Sequence, residues 1–409
     1  MNLKHFFTLI FCLIVINSSS LAQPLTLQDC LSLARESNPK LIQLKTAIEK
    51  SRTGVVTAYS SYYPSINLSS GYSYSETGHY STNIGVGYSL YQGGSIRAAV
   101  KIAGARVGIA EENYRLAEDD VFLAVKEAFF RILQKQEQIA LAENILKRRK
   151  EDLVLIKLKY NAGRESSPAV MEAEANLLQA EYDKMKAEEE LSLAQIELNL
   201  LLGKHRREEI SIKYEDEKIE FPPLEMLIEE AKTERAEMRV ERTNTDVLEA
   251  QVVQAKSDYF PKISLSSSYG LRGSEFFDQE GDWSVGINLS LPIFEGFSRK
   301  AKVQEANLSI KEQEVKIQNL EQQIEEEIEQ AWVNWELAEK TIEVSDKTLQ
   351  AAREMYQLTK LQYEQGLTSY FFLQQKESDL TRAENNYVNA LFNSRIVSAR
   401  LQKVWGRRS

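Results

Sequence analysis

The stretch that decides the fold is Trp283-Ser284-Val285-Gly286-Ile287-Asn288-Leu289-Ser290-Leu291, where large apolar residues alternate with small polar ones. Alternation with a period of two is typical of a β-strand that has one apolar face and one polar face. The polar positions are Ser, Gly and Asn, and none of them carries a charge. The segment therefore predicts a strand whose two faces meet different surroundings.

Three other segments repeat this alternation, so that strands are predicted over about 64–74, 82–91, 261–271 and 282–292. Each is about ten residues long, which suits a tilted strand that crosses a bilayer. Aromatic residues lie at the strand ends, as they do at the interfaces of membrane β-barrels. We expect membrane-spanning strands, and the alternative is a soluble sheet that packs one face on a core.

The alternation divides the strand residues into two predicted faces. The face expected to contact lipid comprises Ile66, Leu68, Tyr88, Leu265, Trp283, Val285, Ile287 and Leu289. The face expected to line a water-filled lumen comprises Ser65, Asn67, Ser69, Gly85, Gly87, Ser264, Ser266, Gly286 and Asn288. Four strands cannot close a barrel, and open edges in lipid leave backbone groups unsatisfied. An oligomer is therefore expected, and the strands alone do not choose between two and three copies.

The chain contains a tandem repeat. Tyr63-Pro64-Ser65-Ile66 matches Phe260-Pro261-Lys262-Ile263 at a shift of 197 positions, and Leu158-Lys159-Tyr160-Asn161-Ala162-Gly163 matches Leu361-Gln362-Tyr363-Glu364-Gln365-Gly366 at a shift of 203. The change of shift falls in the loop after the first strand of each half, where a length change costs least. Several matches in the same order favour duplication over chance.

The repeat predicts the domain organisation. The first repeat covers 23–203, a charged linker covers 204–222, and the second repeat covers 223–409. The linker is expected in the equatorial region, outside the helical tube near its middle. Residues 1–22 have the pattern of a secretory signal peptide with cleavage after Ala22. After cleavage Cys30 is the only cysteine, so no intrachain disulfide is expected. We expect Cys30 to act as a small apolar residue on a helix face.

Each half is also predicted to contain long helices. Residues 96–158 and 298–363 contain no Pro and hardly any Gly, and apolar residues recur at spacings of three and four. At a rise of 1.5 Å per residue the second stretch reaches roughly 100 Å. Glycine turns follow, and helices return over about 168–202 and 370–405. A leading helix is expected over 27–60, with its cap in Thr26-Leu27-Gln28-Asp29.

Composition argues against several classes of function. The formal net charge is −10, and a nucleic-acid partner needs a basic face. The three histidines are scattered, so neither a His-based catalytic site nor a metal site is expected. The carboxylates have the helical spacing of solvated faces and of i,i+4 pairs. The prediction is a protein that is not an enzyme and needs no cofactor.

The sequence resembles the TolC family of outer-membrane efflux proteins over the whole mature chain. The resemblance rests on the opening Leu25-Thr26-Leu27-Gln28-Asp29-Cys30-Leu31-Ser32-Leu33-Ala34, on Asn38-Pro39, on the Tyr-Pro and Phe-Pro strand starts, and on the Tyr-x-x-Gly turns at 160–163 and 363–366. It implies a mainly α fold, with long helical hairpins that form a periplasmic α-barrel continuous with a transmembrane β-barrel of four strands per protomer. The implied location is the outer membrane of a Gram-negative bacterium.

The resemblance also implies a function and partners. A homotrimer in outer-membrane lipid would be the passive export channel of a tripartite efflux or type I secretion system. Its partners would be a periplasmic adaptor, or membrane fusion protein, and an inner-membrane transporter. The alternative is a periplasmic coiled-coil scaffold without a pore. Because the chain is predicted to begin with Gln23 after cleavage, no lipid anchor is expected.

The family places its regulated entrance and adaptor contact at the helical turns. The residues implied here are Tyr160, Gly163, Arg164, Glu172, Tyr363, Gly366, Tyr370, Phe371, Phe372 and Gln375. Many relatives carry acidic residues six and nine positions after the turn glycine, but this chain has Ala169, Glu172, Phe372 and Gln375 there. The aromatic residues at 370–372 would instead form an apolar constriction, or they would pack the hairpin.

Overall fold

The computed structural model describes residues 24–74, 78–214, 220–275 and 278–406. The predicted signal peptide lies outside the described residues. In the first half the elements are α1 Leu27–Ser37, α2 Pro39–Ser60, β1 Ser65–Tyr74, β2 Gly78–Gln92, α3 Ser95–Asn161 and α4 Ser167–Leu201. In the second half they are α5 Leu224–Glu234, α6 Ala236–Ser257, β3 Lys262–Glu275, β4 Asp278–Ser290, α7 Ser298–Glu364 and α8 Tyr370–Trp405. The predicted mainly α fold with four short strands is confirmed.

The two halves repeat each other element by element. Helices α1 and α5 each have 11 residues, α2 and α6 each have 22, and α3 and α7 each have 67. The long helices begin at Ser95 and Ser298, 203 positions apart. The duplication seen in the sequence is therefore a duplication of structure.

The prediction of one leading helix over 27–60 was wrong. The chain forms two helices instead of one, because the residue before a proline is disfavoured in the α conformation. Asn38 has φ −66° and ψ 124°, and its side-chain oxygen accepts a hydrogen bond of 3.0 Å from the Lys40 amide. The cap at Thr26 is confirmed, since Thr26 and Asp29 form a reciprocal capping box.

The four strands form one antiparallel sheet in the order β1-β2-β3-β4. Strands β2 and β3 pair across the two halves, with Tyr88 opposite Leu265. Strand β2 begins at Gly78 instead of near 82, and β3 ends at Glu275 instead of near 271. Strand β4 begins at Asp278 instead of near 282 and ends at Ser290 instead of near 292. Pro292 lacks the amide hydrogen that a ladder needs. Within one chain, β1 and β4 are the edges of the sheet.

The long helices form two hairpins, α3 with α4 and α7 with α8, and these hairpins pack against each other through α3 and α8. The helix order across the layer is therefore α4, α3, α8, α7. None of the helices in the described residues is long and apolar enough to cross a membrane.

Apolar clusters hold the layer together at two levels. Near its middle, the short leading helices cover the long ones, and Cys30 is fully buried there beside Phe129 and Leu198. Cys30 is thus the small core residue that was predicted. At the distal end, Ile156, Tyr363, Tyr370 and other residues form a separate cluster between the hairpins.

Residues 204–214 of the predicted linker pack along the first half. Leu25 and Ile212 form a parallel bridge, in which the Leu25 amide donates to the Ser211 carbonyl at 2.9 Å. The side-chain amide of Asn199 donates to the Glu208 carbonyl at 2.8 Å. This segment therefore lies beside the leading helices, near the middle of the long hairpins.

Candidate functional site

The sheet register groups the predicted strand residues into two sets. Ile66 lies opposite Val86, Leu68 opposite Ile84, and Leu265 opposite both Tyr88 and Ile287. Because opposed residues in an antiparallel sheet point to the same side, the apolar residues share one face. This apolar face carries all eight residues predicted to contact lipid: Ile66, Leu68, Tyr88, Leu265, Trp283, Val285, Ile287 and Leu289.

The polar residues share the other face of the sheet. Ser65 lies opposite Gly87, Gly87 opposite Ser266, and Ser266 opposite Gly286. This polar face carries all nine residues predicted to line a lumen: Ser65, Asn67, Ser69, Gly85, Gly87, Ser264, Ser266, Gly286 and Asn288. It also carries Arg272 and Asp282 towards the far end of the strands, charges that the prediction did not include.

Most of the large side chains of the apolar face are exposed in the single chain. Ile66, Leu68, Trp283, Val285, Ile287 and Leu289 are all exposed. A contiguous apolar surface of this kind marks contact with a membrane or with another protein. The sheet therefore needs an apolar environment on one side only.

The distal turns are the second candidate site. The first turn, 162–166, joins α3 to α4, and the second turn, 365–369, joins α7 to α8. Gly163 has φ +70° and Gly366 has φ +81°, the left-handed conformation that ends a helix. The Arg164 amide donates to the Lys159 carbonyl at 2.8 Å, and the Leu367 amide donates to the Gln362 carbonyl at 2.8 Å. Both glycines thus lie directly after the C-cap residues, Ala162 and Gln365, and reverse the chain there.

The two tyrosines of the Tyr-x-x-Gly sequences have different surroundings. Tyr160 is 45% exposed, whereas Tyr363 is 2% exposed and lies between the hairpins. The Tyr363 hydroxyl donates to Glu165 at 2.9 Å. The Lys159 ammonium donates to the Tyr363 carbonyl and lies 3.8 Å from the centre of its ring. Burial, followed by the Glu165 carboxylate, raises the pKa of Tyr363. Tyr363 therefore ties the second turn to the first.

The other predicted turn residues divide into buried and exposed ones. Tyr370 is buried in the distal cluster, with its ring 6.2 Å from that of Tyr363 and its hydroxyl 3.4 Å from the Asn176 amide nitrogen. Phe371 and Phe372 are exposed. Residues Arg164, Glu172 and Gln375 are also at the surface, and Gln375 donates to Asp379 at 3.2 Å. Only Tyr370 among the three aromatics packs the hairpin.

A group of charged residues that was not predicted lies between α3 and α8. Arg149 donates to Glu377, and Arg148 binds Glu384 through two hydrogen bonds of 3.0 and 2.7 Å. Asp152 and Glu377 are 3% and 1% exposed, so assigning these carboxylates to solvated helix faces was wrong. Their spacing along each helix is ordinary, and only the packing of α3 on α8 buries them.

Metal-ligand geometry is lacking in the part of the chain that the structure describes. No group of three or more His, Cys, Asp or Glu side chains there could hold a metal ion.

Comparison with known proteins agrees with this architecture. The model of the outer membrane efflux protein family matches residues 30–204 and 227–407. CyaE of Bordetella pertussis is 24% identical over 383 residues, which cover 89% of this chain and 80% of CyaE. TolC of Escherichia coli is 22% identical over 312 residues, which cover 70% of this chain and 63% of TolC.

The fold is also similar to that of solved structures. Crystal structures of CusC match with a TM-score of 0.82 and 18% identity, over 93% of this chain and 92% of that chain. The family match covers both halves of the chain and leaves out the linker between them. The chain therefore belongs to the outer membrane efflux protein family, and it is an outer-membrane channel component of efflux or secretion systems that extends into the periplasm.

Proposed function

We propose that three copies of this chain close into one passive export channel, with a twelve-stranded barrel in the outer membrane and a helical tube in the periplasm. The observation that carries the proposal is the four-stranded sheet, which has two open edges and one exposed apolar face. In lipid every backbone group of an edge strand needs a partner. Pairing β1 of one copy with β4 of the next removes all edges.

The two faces of the sheet would then have separate roles. The apolar face, with Leu68, Trp283 and Ile287, contacts lipid, and the polar face, with Asn67, Ser266 and Asn288, lines the lumen. Twelve strands leave an aqueous interior, whereas the interior of eight strands is filled by side chains. Small side chains on the polar face favour a wide lumen.

Exposed apolar residues on the outer helices support the same closure. They follow one stripe on α4, at Met171, Leu178, Tyr182, Met185, Leu193 and Leu200. A second stripe on α7 contains Leu308, Val315, Val333, Leu337, Val344, Met355, Leu358 and Leu361. Both helices lie at the edges of the helix layer, where spacings near seven residues suit packing between long helices. We propose that α4 of one copy packs against α7 of the next.

The distal turns form the periplasmic entrance and the contact with the adaptor in this proposal. Phe371 is 69% exposed next to exposed Leu367 and Phe372, so the second turn presents an apolar surface. That surface suits either an adaptor or a constriction that excludes water. The chain would act without catalysis, and an inner-membrane transporter would supply the energy.

Neighbouring residues on opposite faces of β4 test the channel. Ile287→Lys places a charge on the apolar face, which costs about 2–4 kcal/mol at mid-bilayer and should sharply reduce insertion into planar bilayers. Asn288→Lys places the same charge on the polar face and should leave insertion intact while lowering cation conductance. Native mass spectrometry in detergent should give the mass of three chains.

Other outcomes would contradict the proposal. Equal insertion of both variants would mean that the two faces do not divide lipid from lumen. A single-chain mass, or wild-type protein without conductance, would favour the coiled-coil scaffold instead.

A further inference from the structure

Two buried carboxyl groups face each other in the seam between the hairpins. Asp152 of α3 and Glu377 of α8 are both almost fully buried, they have Arg149 as a common neighbouring cation, and their side chains interact with each other. Two ionised carboxylates can only accept hydrogen bonds. The contact is therefore attractive only when one of the two carries a proton.

The surroundings partly compensate the charge of this pair. Arg149 donates to one oxygen of Glu377, and the Arg148 Nε lies 3.9 Å from the other. Lys360 lies 3.8 Å from Asp152 and also 3.8 Å from Glu151, which is too long for a hydrogen bond. Arg148 itself forms an ion pair with Glu384. Each carboxylate thus has a nearby cation, but only Glu377 is hydrogen-bonded to one.

The remaining titratable groups of the seam do not supply a proton donor to the pair. These groups are Tyr356 and Tyr363 on α7, Tyr370 on α8, and Glu172 on α4. Tyr363 donates to Glu165, and Tyr370 is 3.4 Å from Asn176. Tyr356 is buried, and its hydroxyl makes no hydrogen bond. On α4 the side chains packed in this cluster are Ala169 and Ala173, with Val170 at its margin.

Unsatisfied atoms collect where the two carboxyl groups meet. Both side-chain oxygens of Asp152 and Oε1 of Glu377 are buried without a hydrogen-bond partner. Buried polar atoms without a partner are rare and costly. One proton on this pair would give Asp152 and Glu377 a mutual hydrogen bond and would remove the repulsion.

We propose that Asp152 and Glu377 form a proton-binding site that joins the two hairpins, with one proton held between them when the seam is closed. Loss of that proton leaves two adjacent negative charges in a buried seam and favours its opening. That such opening regulates a channel entrance rests on the proposed function, whereas the proton-binding site does not.

The acid–base properties of the pair agree with the geometry. Burial raises the pKa of Glu377 to about 7, against the opposing charge of Arg149 and with a further rise from Asp152. Burial also raises the pKa of Asp152. An exposed Glu has a pKa of about 4.3. At a pH between about 4.3 and about 7, Glu377 holds a proton in the closed seam but has lost it in the open seam. Closure of the seam therefore weakens as pH rises through about 7.

Amide hydrogen exchange of the full chain in detergent, followed by mass spectrometry, tests the proposal. After correction for the intrinsic pH dependence of exchange, opening of the seam segments around Asp152 and Glu377 should rise about tenfold between pH 6 and pH 8. In Asp152→Asn the amide supplies a permanent donor to Glu377. This variant should lose the pH dependence and remain protected at pH 8.

A matched control lies at the duplicated position of the first half. Glu174, 203 positions before Glu377, is exposed and paired with Lys157 at 2.7 Å. Glu174→Gln should keep the tenfold change, whereas Glu377→Gln, the second test variant, should lose it.

Two results would overturn the proton-binding site. One is seam opening that does not change between pH 6 and pH 8 in the wild-type chain. The other is a tenfold rise in seam opening that persists in both Asp152→Asn and Glu377→Gln. The exchange measurement needs no conductance. A chain that shows the pH dependence but no conductance would therefore contradict the channel and keep the proton-binding site.

Discussion

The two hairpins have the same length and the same turn, yet the same residue types do different things in each. Lys157 and Glu174 form an ion pair of 2.7 Å within the first hairpin, and both side chains are about half exposed. The corresponding residues of the second hairpin, Lys360 and Glu377, turn to the first hairpin instead. There Lys360 approaches Asp152, and buried Glu377 binds Arg149.

The difference arises from neighbours and not from local sequence. Helix α8 packs on α3, whereas α4 lies at the edge of the helix layer in a single chain. An exposed ion pair contributes about 0–1 kcal/mol, whereas loss of one partner of a buried pair costs about 3–5 kcal/mol. The two hairpins thus have the same backbone, but only in the second do Lys360 and Glu377 contact the other hairpin.

The largest difference in stability between the two hairpins is expected for variants of the two turn tyrosines. Tyr363→Ala removes a buried ring and its hydrogen bond to Glu165, which should cost about 3–5 kcal/mol by analogy with other large buried aromatics. Tyr160→Ala removes an exposed ring and should change stability by less than about 0.5 kcal/mol. Amide exchange in the distal turns measures both. Equal effects would mean that the second turn is not tied to the first as described.

Arg149→Met tests the contribution of the buried cation to the contact between the hairpins. The variant leaves Glu377 buried without its hydrogen-bonded cation, so we expect a loss of about 3 kcal/mol in seam stability. The charge of Arg149 lowers the pKa of Glu377. Its removal should therefore move the pH midpoint of seam opening upward from about 7. Exchange profiles across pH 5–9 measure both effects, and a midpoint that moves downward would contradict the assignment.

A smaller effect is expected where the sheet leads into the long helices. Gly94 and Phe297 occupy duplicated positions, and both have a left-handed backbone, with φ +90° and +68°. A bulky side chain in this conformation costs about 1–2 kcal/mol. Phe297→Gly should therefore raise the free energy of unfolding by about 1 kcal/mol, less the loss of ring contact with Phe294. Chemical denaturation measures the change, and destabilisation would show that this ring contact outweighs the strain.

Much of the fold was predictable because it depends on local pattern. Alternation predicted which strand residues share a face, and the absence of proline and the scarcity of glycine predicted α3 and α7 to within a few residues. The break at Asn38 is also a local effect, since the residue before a proline is disfavoured in the α conformation.

The candidate site was less predictable, since it depends on which helices meet. Nothing in the local sequence separates buried Glu377 from exposed Glu174, or buried Tyr363 from exposed Tyr160. The aromatic residues at 370–372 show the same limit. Three adjacent rings must point in different directions around a helix, and only the partner helix decides that Tyr370 is the buried one.

The length of α3 and α7 has a mechanical consequence. Each has 67 residues and is about 100 Å long, so a tilt about a pivot at its sheet end would be amplified along its length. A tilt of about one degree at the pivot moves the far end by nearly 2 Å, which is enough to break a hydrogen bond there. Contacts at the distal end therefore act on the angle between the hairpins with the longest lever arm, and the same tilt moves the core near the middle by only about half that distance.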